Sequence, residues 1–239
     1  MPREINIDNQ TINDDSNCFV IAEIGNNHQG ELENAKKLIT LAKQSGVSAV
    51  KFQKRDNKNL FTEEMFNSPY TGPQSFGPTY GEHRMKLELS ENDFKELIRY
   101  SKKEKITFFA TPFDIKSAEF LHKLGTPAFK IASLDLNNLS LLKTVAEFNL
   151  PTIISTGATT LDQVKKTYDV ISGINNQIAI MQCTSEYPAK SIHINLNVIK
   201  KYREEFPMAI IGYSGHDFGT SIPIAAFSMG ARIIEKHFT

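Results

Sequence analysis

The chain has 239 residues, 40% hydrophobic and 23% charged, and its 27 Lys+Arg balance 27 Asp+Glu. That balance excludes the broad basic field of a nucleic-acid binder, and no apolar run approaches the ~18 residues of a membrane span. Cys18 and Cys183 form no disulfide framework and Met1 to Asn17 lack an apolar signal segment, so a soluble cytoplasmic protein is predicted.

Residues 1–18 read as a polar N-terminal segment and 19–239 as one domain. The first predicted strand, Cys18–Glu23, leads into Gly25-Asn26-Asn27-His28-Gln29-Gly30, where His28 shapes a tight turn. Leu32, Ala35, Leu38, Ile39 and Ala42 then share a helix face closed by Gly46. In the second strand, Val47–Gln53, Val50 and Phe52 point one way while Ala49, Lys51 and Gln53 point the other. Lys54 to Leu89 follow, rich in Gly and Pro. Structureless loops beyond ~15 residues are uncommon without a role, so a lid or an oligomer contact is favoured over an idle excursion.

Ser90 and Asp93 open the next helix, with Phe94, Leu97 and Ile98 as its stripe, before strand Ile106–Thr111. Asp114 caps a helix that carries Ala118, Leu121 and Leu124 and closes at Gly125. Strand Ala128–Ser133, a helix over Leu139–Phe148 and strand Thr152–Thr156 come next. Thr160 with Gln163 begins a helix that ends at Gly173, followed by strand Ile178–Ser185. A helix marked by Leu196, Ile199, Tyr202 and Phe206 stops at Pro207. Strand Met208–Ser214, a helix from near Pro223 to Gly230, and strand Arg232–His237 complete the chain, with Glu235 and His237 on one strand face. Eight strands separated by crossovers predict an α/β TIM (β/α)8 barrel, truncated after strand 8 and lacking its last helix. In such a barrel the active site lies at the C-terminal strand ends.

Those ends carry the chemistry. Lys51 and Lys130 sit among apolar neighbours, where an ammonium group needs a partner. With hydroxyls from Thr111, Ser133 and Ser155 they suit a phosphate and a carboxylate; a structural ion pair with Glu23 or Asp135 is the plainer option, and Schiff-base catalysis ranks behind phosphate binding. His216 and His237 end adjacent strands and could hold a divalent metal, Mn²⁺ or Mg²⁺, or be merely structural. Glu23 and Asp135 could move protons, cap a helix or pair a lysine. Cys183 reads as a small core residue.

The motifs Ala22–Gly30, Val50-Lys51-Phe52-Gln53, Lys130-Ile131-Ala132-Ser133, Ser155-Thr156-Gly157, Cys183–Pro188, Gly212–His216 and Glu235–Thr239 occur in this order. Together they resemble the N-acetylneuraminate (sialic acid) synthase family, which includes synthases of related nonulosonic acids. The resemblance covers nearly all of 19–239. It implies a metal-dependent transferase that condenses phosphoenolpyruvate with an N-acetylated hexose and releases phosphate. Lys51, Thr111, Lys130, Ser133, Ser155 and Ser214 would hold phosphoenolpyruvate, Gln53 and Tyr187 would touch the sugar, and His216 and His237 would bind the metal. Glu23 and Asp135 match the family's functional carboxylates, although Asp135 stands where many members have glutamate, and Ser185 where some have asparagine. The family also implies a homodimer and a C-terminal antifreeze-protein-like domain, absent from this sequence, that supplies an arginine to the partner's sugar site. The alternatives are another phosphoenolpyruvate or phosphosugar aldolase on the same barrel, and a non-catalytic sugar-phosphate-binding barrel.

Overall fold

The computed structural model describes residues 3–239. The barrel is built as its residue alternation predicts. Strands β3 (Phe19–Gly25), β4 (Ala49–Lys54), β5 (Thr107–Pro112), β6 (Phe129–Ile131), β7 (Thr152–Ser155), β8 (Ile178–Cys183), β9 (Ile210–Gly215) and β10 (Ile233–His237) close into one parallel ring, with β10 pairing both β9 and β3. Helices α1 (Leu32–Gln44), α5 (Glu91–Glu104), α6 (Ile115–Lys123), α7 (Leu139–Glu147), α8 (Leu161–Ser172), α9 (Asn197–Glu205) and α10 (Ser221–Ser228) follow the successive strands.

Strand parity divides the core in two. Val50, Phe52, Phe108, Phe129, Ile180 and Ile234 face outward and pack with the inner faces of the helices. Phe52 and Phe108 stack with ring centroids 5.0 Å apart, and Phe94 of α5 meets Phe108 edge-on at 6.2 Å. Ile21, Ala49, Phe109, Ile153, Met181, Ile210 and Ile233 point inward and fill the lower barrel. Apolar side chains thus close the bottom, and the inward positions nearer the mouth are left to polar groups.

The segment before Phe19 is an antiparallel hairpin of β1 (Glu4–Ile7) and β2 (Gln10–Asn13), with Asp8 at the turn in the left-handed region at φ 51°. Ile5, Ile7 and Ile12 are fully buried against the interior cluster, while Glu4 and Asn6, which alternate with Ile5 and Ile7, are exposed. A polar stretch therefore carries an apolar side that plugs the barrel. Asp14 fastens it: Arg203 Nη1 donates to its carboxylate at 2.9 Å and Arg232 Nε to its carbonyl at 2.8 Å.

The connection expected to be a lid or an oligomer contact is folded. It contains α2 (Asn57–Leu60), α3 (Glu63–Asn67) and α4 (Tyr80–Leu87), the last begun by a capping box of Thr79 and Glu82. Gly81 packs on the Phe66 ring, and His83 is buried among Tyr70, Phe76 and Tyr80. Another contact ties this excursion to the turn after β3. Gly30 has φ +79°, and a Cβ there would stand 2.1 Å from the Lys86 carbonyl oxygen. Gly30→Ala is expected to cost about 3 kcal/mol or more, because the obstacle is backbone. Gly46→Ala has the same φ but nothing within 4 Å and should cost only about 1–2 kcal/mol. Thermal melts of the two variants check the difference.

Candidate active site

The register of the ring sets the functional side chains at defined heights. Glu23 is level with Lys51 and with His237, Gln53 with Thr111, and Ser214 with both Cys183 and Glu235. A cavity of about 500 Å³ opens among them at the C-terminal mouth. Every candidate residue named above lines it except Asp135.

Its floor is a buried charge cluster. Lys51 Nζ lies 2.6 Å from Glu23 Oε2 and donates to Thr111 Oγ1 at 2.9 Å. Lys130 Nζ donates to Ser155 Oγ at 2.6 Å and to the Ile131 carbonyl at 3.1 Å. Glu235 joins the two halves: its Oε1 is 3.9 Å from Lys51 Nζ, 3.8 Å from Lys130 Nζ, and accepts from Ser214 Oγ at 3.1 Å. Burial alone would raise the Glu235 carboxyl, but Lys130, Lys51 and the Ser214 hydrogen bond outweigh it and hold the group below the usual glutamate range. Burial pushes the Lys130 ammonium below its ordinary value, with Glu235 opposing. The other Glu235 oxygen, Oε2, is buried without a hydrogen-bond partner.

The plainer option for the lysines is therefore present in part: Lys51 is paired with Glu23. Lys130, however, does not pair with Asp135. Asp135 sits on a 3-10 turn, Ser133–Asp135, is buried, and is not among the residues that line the cavity. It accepts from Asn138 Nδ2 at 3.3 Å, keeps Oδ2 unpartnered, and is raised by burial. Glu235 is the carboxylate the lysines share. Its position beside His237 on an inward strand face is the one sequence signal for it.

The walls add neutral donors and acceptors. Gln53 Nε2 donates to Glu23 Oε1 at 2.8 Å and its oxygen accepts from Asn26 Nδ2 at 3.3 Å. Ser133 Oγ accepts the Gly157 N–H at 2.8 Å. Cys183, expected as core, lines the cavity; burial raises its thiol and keeps it protonated. His28 stays a turn residue: it is buried, its Nδ1 accepts the Gly30 N–H at 3.0 Å, and burial pushes it down to about 4, so the ring is neutral.

His216 and His237 stand together on one rim, with ring centroids 5.5 Å apart. Tyr187 stacks on His216 at 3.8 Å. His216 Nδ1 lies 3.0 Å from the Thr184 carbonyl oxygen, to which it can only donate, so its Nε2 keeps the lone pair. Burial lowers its affinity for a second proton and favours that neutral form. Among the described residues no group of three His, Cys, Asp or Glu makes a complete cage. The protein offers two imidazole nitrogens, which suits an exchangeable divalent ion completed by water or substrate oxygens and not a closed structural zinc site.

The closed parallel ring, with a buried lysine–carboxylate cluster and a histidine pair at its mouth, has the TIM-barrel architecture. The chain belongs to the NeuB family, whose profile matches residues 38–239. It is 42% identical over 222 residues to the N-acetylneuraminate-9-phosphate synthase of Homo sapiens, covering 93% of this chain and 62% of that protein. It is 40% identical over 228 residues to the N,N'-diacetyllegionaminic acid synthase of Campylobacter jejuni, covering 92% of this chain and 67% of that one. The N-acetylneuraminic acid synthetase from Leptospira borgpetersenii, solved in complex with citrate, superposes with a TM-score of 0.89 at 32% identity over 100% of this chain and 79% of its own. The chain thus spans less than two thirds of the length of the human relative.

Proposed function

We propose that the protein condenses phosphoenolpyruvate with an N-acetylated hexose, of the N-acetylmannosamine type, to form a nine-carbon sialic-acid-type sugar and inorganic phosphate. The observation that carries this reading is the convergence of Lys51 and Lys130 on one hydroxyl-lined floor below the His216–His237 rim. A doubly anionic three-carbon substrate suits that floor. Its phosphate and carboxylate would take over the ammonium groups and the hydroxyls of Thr111, Ser133, Ser155 and Ser214. The relatives named for N-acetylneuraminate 9-phosphate and diacetyllegionaminic acid synthesis support the product class.

The sugar lies above, toward Gln53 and Tyr187. A divalent ion, Mn²⁺ or Mg²⁺, held by His216 and His237 would polarise the sugar aldehyde when bound. The enol carbon C3 attacks the aldehyde carbon, the carbonyl pair moves onto the aldehyde oxygen, which takes up a proton to become a hydroxyl, and the new carbon–carbon bond leaves positive charge at C2 of the enolpyruvyl unit. The carboxylates of Glu23 and Glu235 flank the floor and stabilise that charge. Water adds at C2 and loses a proton to a carboxylate; we assign that role to Glu235, which lines the cavity and keeps Oε2 unpartnered, in place of Asp135, which does not line it. Cleavage of the bond between C2 and the phosphate oxygen then yields the keto acid. The same reading places the enzyme in the cytoplasm, as a homodimer. Support for the first is that no helix among the described residues is long and apolar enough to cross a membrane. Support for the second is exposed apolar surface at Phe218 and Ile192, near the mouth.

Phosphate release that requires phosphoenolpyruvate, an N-acetylated hexose and a divalent ion together is the expected assay result. Release with a different aldehyde only, or a borohydride-trapped adduct on Lys51 or Lys130, would overturn the condensation in favour of another aldolase.

A further inference from the structure

His216 and His237 lie just past the ladder that joins their strands. The last register pair between β9 and β10 is Gly215 with Lys236, one residue short of each histidine. Each histidine is fastened instead to its other neighbour. His216 has Nδ1 on the Thr184 carbonyl, and its own carbonyl accepts the Ala189 N–H at 3.0 Å, both in the segment after β8. His237 is level with Glu23 of β3, and Phe238 donates its N–H to the Glu23 carbonyl at 2.9 Å. The Phe238 carbonyl in turn accepts from Asn27 Nδ2 at 2.9 Å. Two separate anchorages do not fix the gap between the imidazoles.

A polar link on the outside of the barrel spans that gap. It is made by the chain neighbours of the two histidines. Lys236 Nζ lies 3.0 Å from Asp217 Oδ2 and donates to the Asp217 carbonyl oxygen. Tyr213, on the helix-facing side of β9, donates its hydroxyl to Asp217 Oδ1. Tyr213 and Asp217 are buried, and none of the three residues lines the cavity. Gly215 makes room for the arrangement. A Cβ there would stand 2.6 Å from the Tyr213 hydroxyl oxygen and closer still to Asp217 Oδ1, so the carboxylate folds back over bare backbone. Both Asp217 oxygens are thus engaged, one by an ion pair and one by a hydrogen bond, and a link with several buried contacts is stiff.

We propose that Lys236, Asp217 and Tyr213 form a clamp that sets the spacing of His216 and His237, and so act as positioning residues for the divalent ion. The inference rests on the metal reading given above. A site with two protein ligands depends strongly on how well they are held apart, because no third side chain corrects an error in their spacing. The clamp does this from behind, without touching substrate.

The sign of one substitution separates this role from electrostatics. Lys236→Met removes a positive charge near the ion, which by Coulomb attraction alone would tighten Mn²⁺ binding. The clamp requires the opposite: Mn²⁺ affinity of the apoprotein, read by paramagnetic resonance, should fall at least about tenfold. Phosphoenolpyruvate affinity, read by calorimetry, should stay within about threefold, since the lysine floor is untouched. Lys236→Arg keeps the charge and the reach to Asp217, and should restore Mn²⁺ affinity to within about threefold of wild type. Unchanged or tighter Mn²⁺ binding in Lys236→Met overturns the clamp. Equal weakening of Mn²⁺ and phosphoenolpyruvate overturns it too, as a general loss of structure. Should Lys236→Met fail to fold, Tyr213→Phe, which removes one hydrogen bond and no charge, decides by the same comparison. There Mn²⁺ should weaken about threefold or more, and an unchanged affinity rejects the clamp. If the wild-type protein binds no Mn²⁺, the metal reading falls, and imidazole ¹⁵N spectra then decide the clamp. His216 and His237 signals that shift or broaden in Lys236→Met, with the other histidines unmoved, support it; identical spectra reject it.

Discussion

Lys130→Met is expected to abolish detectable phosphoenolpyruvate binding and to destabilise the fold at the same time. The two effects have one origin. Lys130 is buried, and its ammonium group shares Glu235 with Lys51 at 3.8 and 3.9 Å. A unit charge pair at this separation is worth about 4 kcal/mol at an effective dielectric of 20, so losing one phosphate contact should raise Kd roughly a thousandfold. Methionine keeps most of the stem and leaves little void, which isolates the charge as the variable. What remains is a buried cluster with two carboxylates and one lysine. Removing one member of a buried pair costs about 3–5 kcal/mol because the other charge is stranded. For a domain of this size each kcal/mol moves Tm by roughly 2–4 °C, so a fall near 10 °C is expected. The double variant Lys130→Met with Glu235→Gln removes the stranded charge and should recover at least half of the lost Tm, yet still fail to bind phosphoenolpyruvate. Calorimetry and thermal melts read the two effects separately. Unchanged binding in the single variant would remove Lys130 from the substrate site; a double variant as unstable as the single one would refute Glu235 as the shared counter-ion.

What was legible in the amino-acid order, and what was not, follows from the range of the interactions involved. The alternation of Val50 and Phe52 with Lys51 and Gln53 is a local, period-2 signal, and it correctly separates the helix-facing core from the inward site. Helix ends are equally local: Ser90 with Asp93 and Thr160 with Gln163 are capping boxes as expected. The hairpin plug is missed because Ile5, Ile7 and Ile12 are few, sit on four-residue strands, and find their partners only once the barrel closes. Glu235 is missed for a related reason. Its chemistry depends on β10 pairing with β3 and β9 at once, which brings it within reach of lysines on β4 and β6. Asp135 lies on the 3-10 turn Ser133–Asp135 and outside the residues that line the cavity, a placement that no local pattern around it foretells. Arg55, which lines the cavity, belongs to a connection whose composition predicts a loop, and its contacts, a backbone N–H to Glu88 and a guanidinium over Phe113, are with residues far along the chain.

His216→Ala is expected to lower turnover by roughly 10²–10³-fold, the usual scale for removing one electrostatic stabiliser of a developing charge. Its effect on stability should be small. The His216 ring is half-buried, and the contacts it loses are the Thr184 carbonyl at 3.0 Å and the stack with Tyr187, whose own side chain is 70% exposed. Loss of activity with Tm nearly unchanged therefore separates a ligand from a structural histidine. A readout independent of turnover strengthens the distinction: titration of the apoprotein with Mn²⁺ should show a site in wild type that weakens by at least about a hundredfold in His216→Ala. Replacing Tyr187 with Leu removes the stacking partner and leaves both imidazoles in place, so it should perturb sugar KM more than Mn²⁺ affinity. If His216→Ala bound Mn²⁺ as tightly as wild type, the pair of rim imidazoles would be a stacking platform for the sugar and the metal assignment would fall. The physical case against that outcome is the fixed tautomer. A backbone carbonyl holds the Nδ1 proton, burial disfavours a second proton, and the Nε2 lone pair is left available beside a second imidazole.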